Sequence, residues 1–212
     1  MTLTEGIMDV RIGRAEDRRR AGLFFFVLAA QFMLVIMLAA SIAPGYDFNG
    51  AAISDLGVIA STALLFNASL VVVGVLNVLG GFLYYRSHRR GRVLVLFVVA
   101  SIGAVGTAAF PLDRGGVHSL FALVSFLFFN VEAIAVGALV GGAMKLISVL
   151  AGALGLVFVV LLVIGDGGNA AAFGAIGYGG TERMIVYPAM LWMLALGGHL
   201  MAARDGARPG RD

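Results

Sequence analysis

Residues 21–43, AGLFFFVLAAQFMLVIMLAASIA, run without a single charge between Arg18-Arg19-Arg20 and Pro44. At about 1.5 Å per residue a helix of this length reaches about 34 Å, enough to cross a bilayer with some tilt and longer than the apolar core of a secretory signal. The stretch therefore reads as a membrane span. Five further runs follow at residues 63–85, 93–110, 117–144, 146–165 and 183–203, the last carrying Pro188 as a kink. The composition agrees, with 60% hydrophobic and 13% charged residues against roughly 25% charged in a soluble domain. The expectation is an all-α integral membrane protein, six transmembrane helices in one bundle. Its divisions are an N-terminal cytoplasmic segment 1–20, a transmembrane domain 21–203 and a cytoplasmic tail 204–212. The chain has no cysteine, which excludes disulfides, thiolate metal sites and a thiol nucleophile.

Charge placement sets the expected orientation. Five Lys/Arg precede the first span, four follow the second, Lys145 follows the fourth and three lie in the tail, so one side holds 13 of the 15 and only Arg114 and Arg183 face the other. The positive-inside rule then places both termini in the cytoplasm of a cell membrane protein. The net charge of +3 flanks apolar spans, so it signals topology and no nucleic-acid partner is expected. The outward loops carry Asp47, Asp55, Asp113, Asp166 and Glu182. No repeat relates spans one to three to spans four to six, so an inverted-repeat transporter gains no support.

Span four holds the most informative polar pattern. His118, Ser125 and Glu132 recur every seven residues and so share one stripe of a helix, which must face protein. If the span ends at Lys145, Glu132 lies about 20 Å from either end, near the midplane, where a carboxyl is costly and by default a functional candidate. The structural alternative is a hydrogen-bonded lock. Gln31 and Asn77 are its expected partners, whereas Asn130, about 200° away round the helix, serves another neighbour. Asn67, Gly74, Asn77 and Gly81 form a narrow face for helix packing, and Gly137 with Gly141 reads as a close-packing pair. A water-connected Glu132 favours transport or catalysis, and a sealed one a structural role.

At the outward rim Arg183 is expected to pair with Asp47, Asp55 or Asp113, best with Asp55 in its compact turn. The expected ligand site comprises Asp55, His118, Arg183, Asp113 and Glu182, with Arg183 taking an anionic group, Asp55 accepting from hydroxyls and His118 donating. The bland alternative is a solvated rim with a structural ion pair. The leading function is binding of a lipid headgroup or small polar ligand, with membrane lipids as partners and self-association left open. The alternatives are an intramembrane enzyme acting on lipid, with His118 and Asp55 or Glu132 as acid and base, and a small transporter using Glu132. Thr181-Glu182 looks like the start of the last helix. His88 and His199 read as interfacial. No G-x-S-x-G, H-E-x-x-H, P-loop or dinucleotide fingerprint occurs, and His118 with the aspartates has no metal-ligand spacing, so neither cofactor nor metal is expected.

Ile53-Ser54-Asp55-Leu56-Gly57, the Phe110-Pro111 to His118 junction, and Gly180-Thr181-Glu182-Arg183 opening a last span with Trp192 together resemble a prokaryotic membrane family, number 998 among the domains of unknown function (DUF998). The resemblance covers nearly the whole chain and implies a six-helix integral membrane protein without an assigned activity. The first third also loosely resembles the eukaryotic FRAG and DRAM membrane proteins, linked to lipid and glycolipid processing and to autophagy. That likeness implies no catalytic residue here.

Overall fold

A backbone N–H or C=O left unpaired in lipid costs several kcal/mol, so long apolar runs satisfy themselves as helices. The computed structural model describes residues 3–202, with side chains described from residue 12 onward. Its long helices are α1 (Leu3–Ile42), α2 (Ala63–His88), α3 (Gly91–Ala109), α4 (Gly116–Gly137), α5 (Gly142–Asp166) and α6 (Gly177–Ala202). All six are long and apolar enough to cross a membrane, α1 from Ile12 onward, and no strand occurs among the described residues.

Each helix packs on its neighbours in sequence, and α6 closes the ring by packing on both α5 and α1. Closure depends on two glycines. A Cβ at Gly197 would lie 2.7 Å from the Gly22 carbonyl oxygen, and one at Gly22 would meet the Gly197 carbonyl at 2.7 Å. Inside the ring Trp192, Phe25, Phe97, Leu28, Ile36 and Met193 are fully buried, with Phe25 stacked on Phe97 at 5.2 Å between centroids. Outside it Leu34, Leu64, Leu150 and Val160 are more than half exposed, an apolar surface suited to lipid. One end of the bundle carries the arginines of α1 and of the α2–α3 turn, where Arg86 Nε lies 3.0 Å from Asp17. The opposite, acidic end carries the loops after α1, α3 and α5.

Several boundaries differ from the sequence reading. The polar segment before the first span is helical, because α1 already begins at Leu3. The tail 204–212 lies outside the described residues. Span four does not reach Lys145: α4 stops at Gly137, and α5 starts at Gly142, whose φ of +59° suits a glycine-made turn. Lys145 accordingly sits in the first turn of α5. Gly141 belongs to the connection and meets nothing within 4 Å, so only Gly137 of that pair packs closely, against Ser148. Glu132 then lies five residues before the end of α4, about 7.5 Å from it, nearer the arginine-rich end than the middle. The last helix starts one turn earlier than Thr181, at Gly177, and the Thr181 hydroxyl donates to the Gly177 carbonyl at 2.9 Å inside that helix instead of capping it. The preceding 3-10 stretch Ala170–Ile176 lies against α5 and α6.

Candidate functional site

The loop after α1 folds on its own backbone. Asp47 accepts from the Asn49 N–H at 3.0 Å and the Gly50 N–H at 2.9 Å, the local turn that a short carboxylate favours. Asp55 accepts from the Ala52 N–H at 2.8 Å, and the Thr62 hydroxyl donates to the Leu56 carbonyl at 2.8 Å. These bonds wind a 3-10 turn, Ile53–Gly57, whose Ile53, Ser54 and Leu56 side chains are buried. Ile53 and Ser54 meet Glu182, which is 3% exposed. Its carboxylate accepts a short hydrogen bond from the Ile53 N–H and one from the Ser54 hydroxyl at 3.3 Å. Glu182 thus ties α6 to the first loop.

Arg183 ties them a second time, without any carboxylate. Its Nη1 donates to the carbonyls of Phe48 at 2.9 Å, Ala51 at 3.3 Å and Gly179 at 2.7 Å, and Nη2 donates to the Tyr46 hydroxyl at 2.5 Å. The guanidinium also lies over the rings of Phe48 at 4.6 Å and Tyr46 at 5.6 Å. A Cβ at position 179 would sit 2.2 Å from the Ala51 carbonyl oxygen, so only glycine lets the loop approach this closely. Burial raises the Tyr46 hydroxyl to about 12 against the lowering pull of Arg183. It therefore remains a neutral phenol that accepts from Arg183 and donates to the Ala52 carbonyl at 2.8 Å. The expected ion pair with Asp47, Asp55 or Asp113 does not form. Asp47 and Asp55 are occupied by backbone N–H groups, and exposed Asp113 faces Arg114 at 3.9 Å.

Between α4, α5 and α6 this arrangement leaves a cavity of about 170 Å³, whose wall includes Ser54, His118, Ser119, Asp166, Tyr178 and Glu182. His118 is 4% exposed, with Nδ1 2.8 Å from the Phe110 carbonyl oxygen. A carbonyl only accepts, so Nδ1 carries the hydrogen of this bond. Among the described residues Nε2 has no protein partner. The wall also includes exposed apolar residues, Leu123 at 38% and Val163 at 51%. A second, inner cavity of about 50 Å³ shares Ser54, Ala122, Phe126 and Glu182 with the first and adds Ser125, Thr107 and Asn130 to its wall.

Of the residues expected to form one site, the structure brings His118 and Glu182 to this cavity. Asp55 and Asp113 do not line it, and Arg183 is turned away to the loop carbonyls. The intramembrane polar residues separate further. Glu132 is fully buried and accepts from Asn77 Nδ2 at 3.0 Å, which also donates to the Phe97 carbonyl at 3.2 Å. Glu132 Oε2 and Asn77 Oδ1 have no partner among the described residues, and Glu132 lines neither cavity. Gln31 does not reach it, but exchanges hydrogen bonds with Ser69 of α2 at 2.8 and 3.4 Å. Asn130 donates to the Phe126 and Ile185 carbonyls at 2.7 and 3.3 Å, joining α4 to α6. Ser125 lines the inner cavity beside Gly103 of α3.

Tyr178, Asp166 and Ser54 entered the cavity wall unannounced. Tyr178 stands four residues before Glu182, a helical spacing that puts both on one face, but that signal is lost when the helix is begun at Thr181. No curated protein and no solved structure matches the chain. A family model described as Protein of unknown function (DUF998) matches residues 26–199, a range that spans all six helices, and the chain is therefore a member of this family of multi-pass membrane proteins.

Proposed function

We propose that the cavity between α4, α5 and α6 holds the polar headgroup of a membrane lipid that enters from the side. The observation that supports this reading is a cavity wall that joins the polar Glu182, Ser54 and His118 to the exposed apolar Leu123 and Val163. A freely soluble ligand needs no apolar doorway, and an acyl chain alone needs no buried carboxylate. Glu132 takes no part in this reading, since it is sealed by Asn77 and lines neither cavity. The concentration of 13 of 15 Lys/Arg at the other side supports placing the cavity at the outer leaflet of a cell membrane, with both termini cytoplasmic. Ser119 is exposed at the cavity wall, so Ser119→Trp fills the opening without burying a polar group. Native mass spectrometry of protein extracted gently from membranes should find bound lipid on the wild type and little on Ser119→Trp. Equal lipid retention by a folded Ser119→Trp would reject the cavity as the site.

A further inference from the structure

The arginine-rich end holds more positive charge than the carboxylates beside it take up. Among the described side chains those carboxylates are Glu16 and Asp17. Glu16 pairs with Arg20, and Asp17, 8% exposed, holds Arg86 Nε at 3.0 Å. Arg19, Arg89, Arg90 and Arg92 are exposed and have no ion pair among the described residues. Three of these four belong to one tight turn. α2 ends at His88 and α3 begins at Gly91, so Arg89 and Arg90 make the whole connection. Arg89, at a φ of +59°, closes α2 through its N–H on the Tyr85 carbonyl at 2.6 Å.

The depth of the turn follows from α3. Its 19 residues reach about 28 Å, roughly the thickness of the hydrocarbon core, so a span that starts at Gly91 leaves Arg89, Arg90 and Arg92 at the level of the headgroups. The Asp17–Arg86 pair draws the arginine-bearing part of α1 to the same place. Elsewhere on this end the α4–α5 connection, residues 138–141, is ALVG, and only Lys145 follows it. Orientation depends on how many cations lie on one side of the membrane, and their gathering on α1, α2 and α3 goes beyond that requirement.

We infer that the α2–α3 turn and the adjoining part of α1 form a docking surface for anionic phospholipid headgroups, separate from the cavity at the acidic end. Guanidinium forks match phosphate oxygens, and clustered arginines at the end of a span attract anionic lipid. A zwitterionic headgroup neutralises its own phosphate and gains less. A two-residue connection at headgroup depth offers little surface to a nucleic acid or an acidic protein. The inference stands whether or not the cavity between α4, α5 and α6 holds lipid.

Purified protein, delipidated in detergent, is titrated with phosphatidylglycerol and phosphatidylcholine of the same acyl chains, with binding read by native mass spectrometry. Phosphatidylglycerol should bind several-fold more tightly, and its advantage should shrink as salt is raised. Replacing Arg89, Arg90 and Arg92 together by Gln should remove most of that advantage. These side chains are exposed and make no hydrogen bond among the described residues, so the variant keeps its fold. Replacing the same three by Lys keeps the charge and should retain part of the advantage. Equal binding of the two lipids by the wild type, or an advantage unchanged in the Gln variant, overturns the inference. An advantage lost in Ser119→Trp but kept in the Gln variant assigns anionic lipid to the cavity and likewise overturns it. Glycerol phosphate that displaces phosphatidylglycerol at equal concentration would make the ligand a soluble phosphate and overturn the lipid source.

Discussion

Arg183 and Glu182 are neighbours in sequence with opposite charges, yet each is held chiefly by the first loop, and Arg183 Nε is left without a partner among the described residues. The arginine's Nη hydrogens go to two loop carbonyls, the Gly179 carbonyl of its own helix and a phenol, and the glutamate's oxygens take an N–H and a hydroxyl. Removing a buried donor leaves its acceptors unmatched, at about 1 to 3 kcal/mol each for wholly orphaned groups. Arg183→Ala should therefore lower thermal stability by about 2 to 4 kcal/mol. Combining it with Tyr46→Phe should give strongly non-additive losses, and combining it with Asp113→Ala additive ones within about 0.5 kcal/mol. A coupling between Arg183 and Asp113 would contradict the carbonyl-bound geometry. The Glu132–Asn77 pair makes a different prediction. Glu132→Gln keeps the acceptor that Asn77 uses and should fold normally, whereas Asn77→Leu strips the carboxyl of its donor and should cost about 1 to 3 kcal/mol. Asn77→Leu combined with Glu132→Met removes both polar groups and should recover most of that loss. Detergent melts of the four proteins check it, and no recovery in the double variant would mean that the pair does more than hold α2 to α4.

At the scale of elements, what the sequence made legible was what apolar runs dictate. Six spans with charged ends were readable because an uncharged run of about 20 residues has few other fates. The turn between α4 and α5 was not, since residues 138–141, ALVG, continue the apolar pattern and only glycine conformation breaks the helix there. That hidden turn shifted Glu132 off the midplane. The start of α6 was missed for a related reason: Gly177-Tyr178-Gly179-Gly180 reads as a loop, but its glycines let α6 meet the first loop, as the close approach at Gly179 shows. Once that turn was lost, Tyr178 dropped out of the site and Arg183 seemed free to take a ligand. His118 and Glu182 were legible as polar groups at one end of the bundle. Their convergence was not, because it depends on how α4 and α6 pack. The same close packing predicts that Gly197→Val, which forces a branched side chain against the Gly22 carbonyl and Phe26, separates α6 from α1. It should lower the melting temperature sharply, while Gly198→Ala, at a position with nothing within 4 Å, should leave it nearly unchanged.

For the molecule as a whole, the bundle has an arginine-rich end and an acidic end, and the cavity belongs to the acidic one. The chain's lack of cysteine makes single-cysteine labelling clean: cysteine at Asn49 or Asn169 should react with an impermeant reagent from outside, and cysteine at His88 should not. Reaction at His88 would place the cavity in the inner leaflet. The central claim, that lipid occupies the space between α4, α5 and α6, is tested most directly by photo-crosslinking in membranes with a phospholipid analogue that carries its reactive group beside the headgroup, and by mapping the adducts. The account predicts adducts concentrated on the segments around Ser119, Leu123 and Val163 and their loss in Ser119→Trp. Adducts spread evenly over the lipid-exposed faces of all six helices, unchanged by Ser119→Trp, would contradict it.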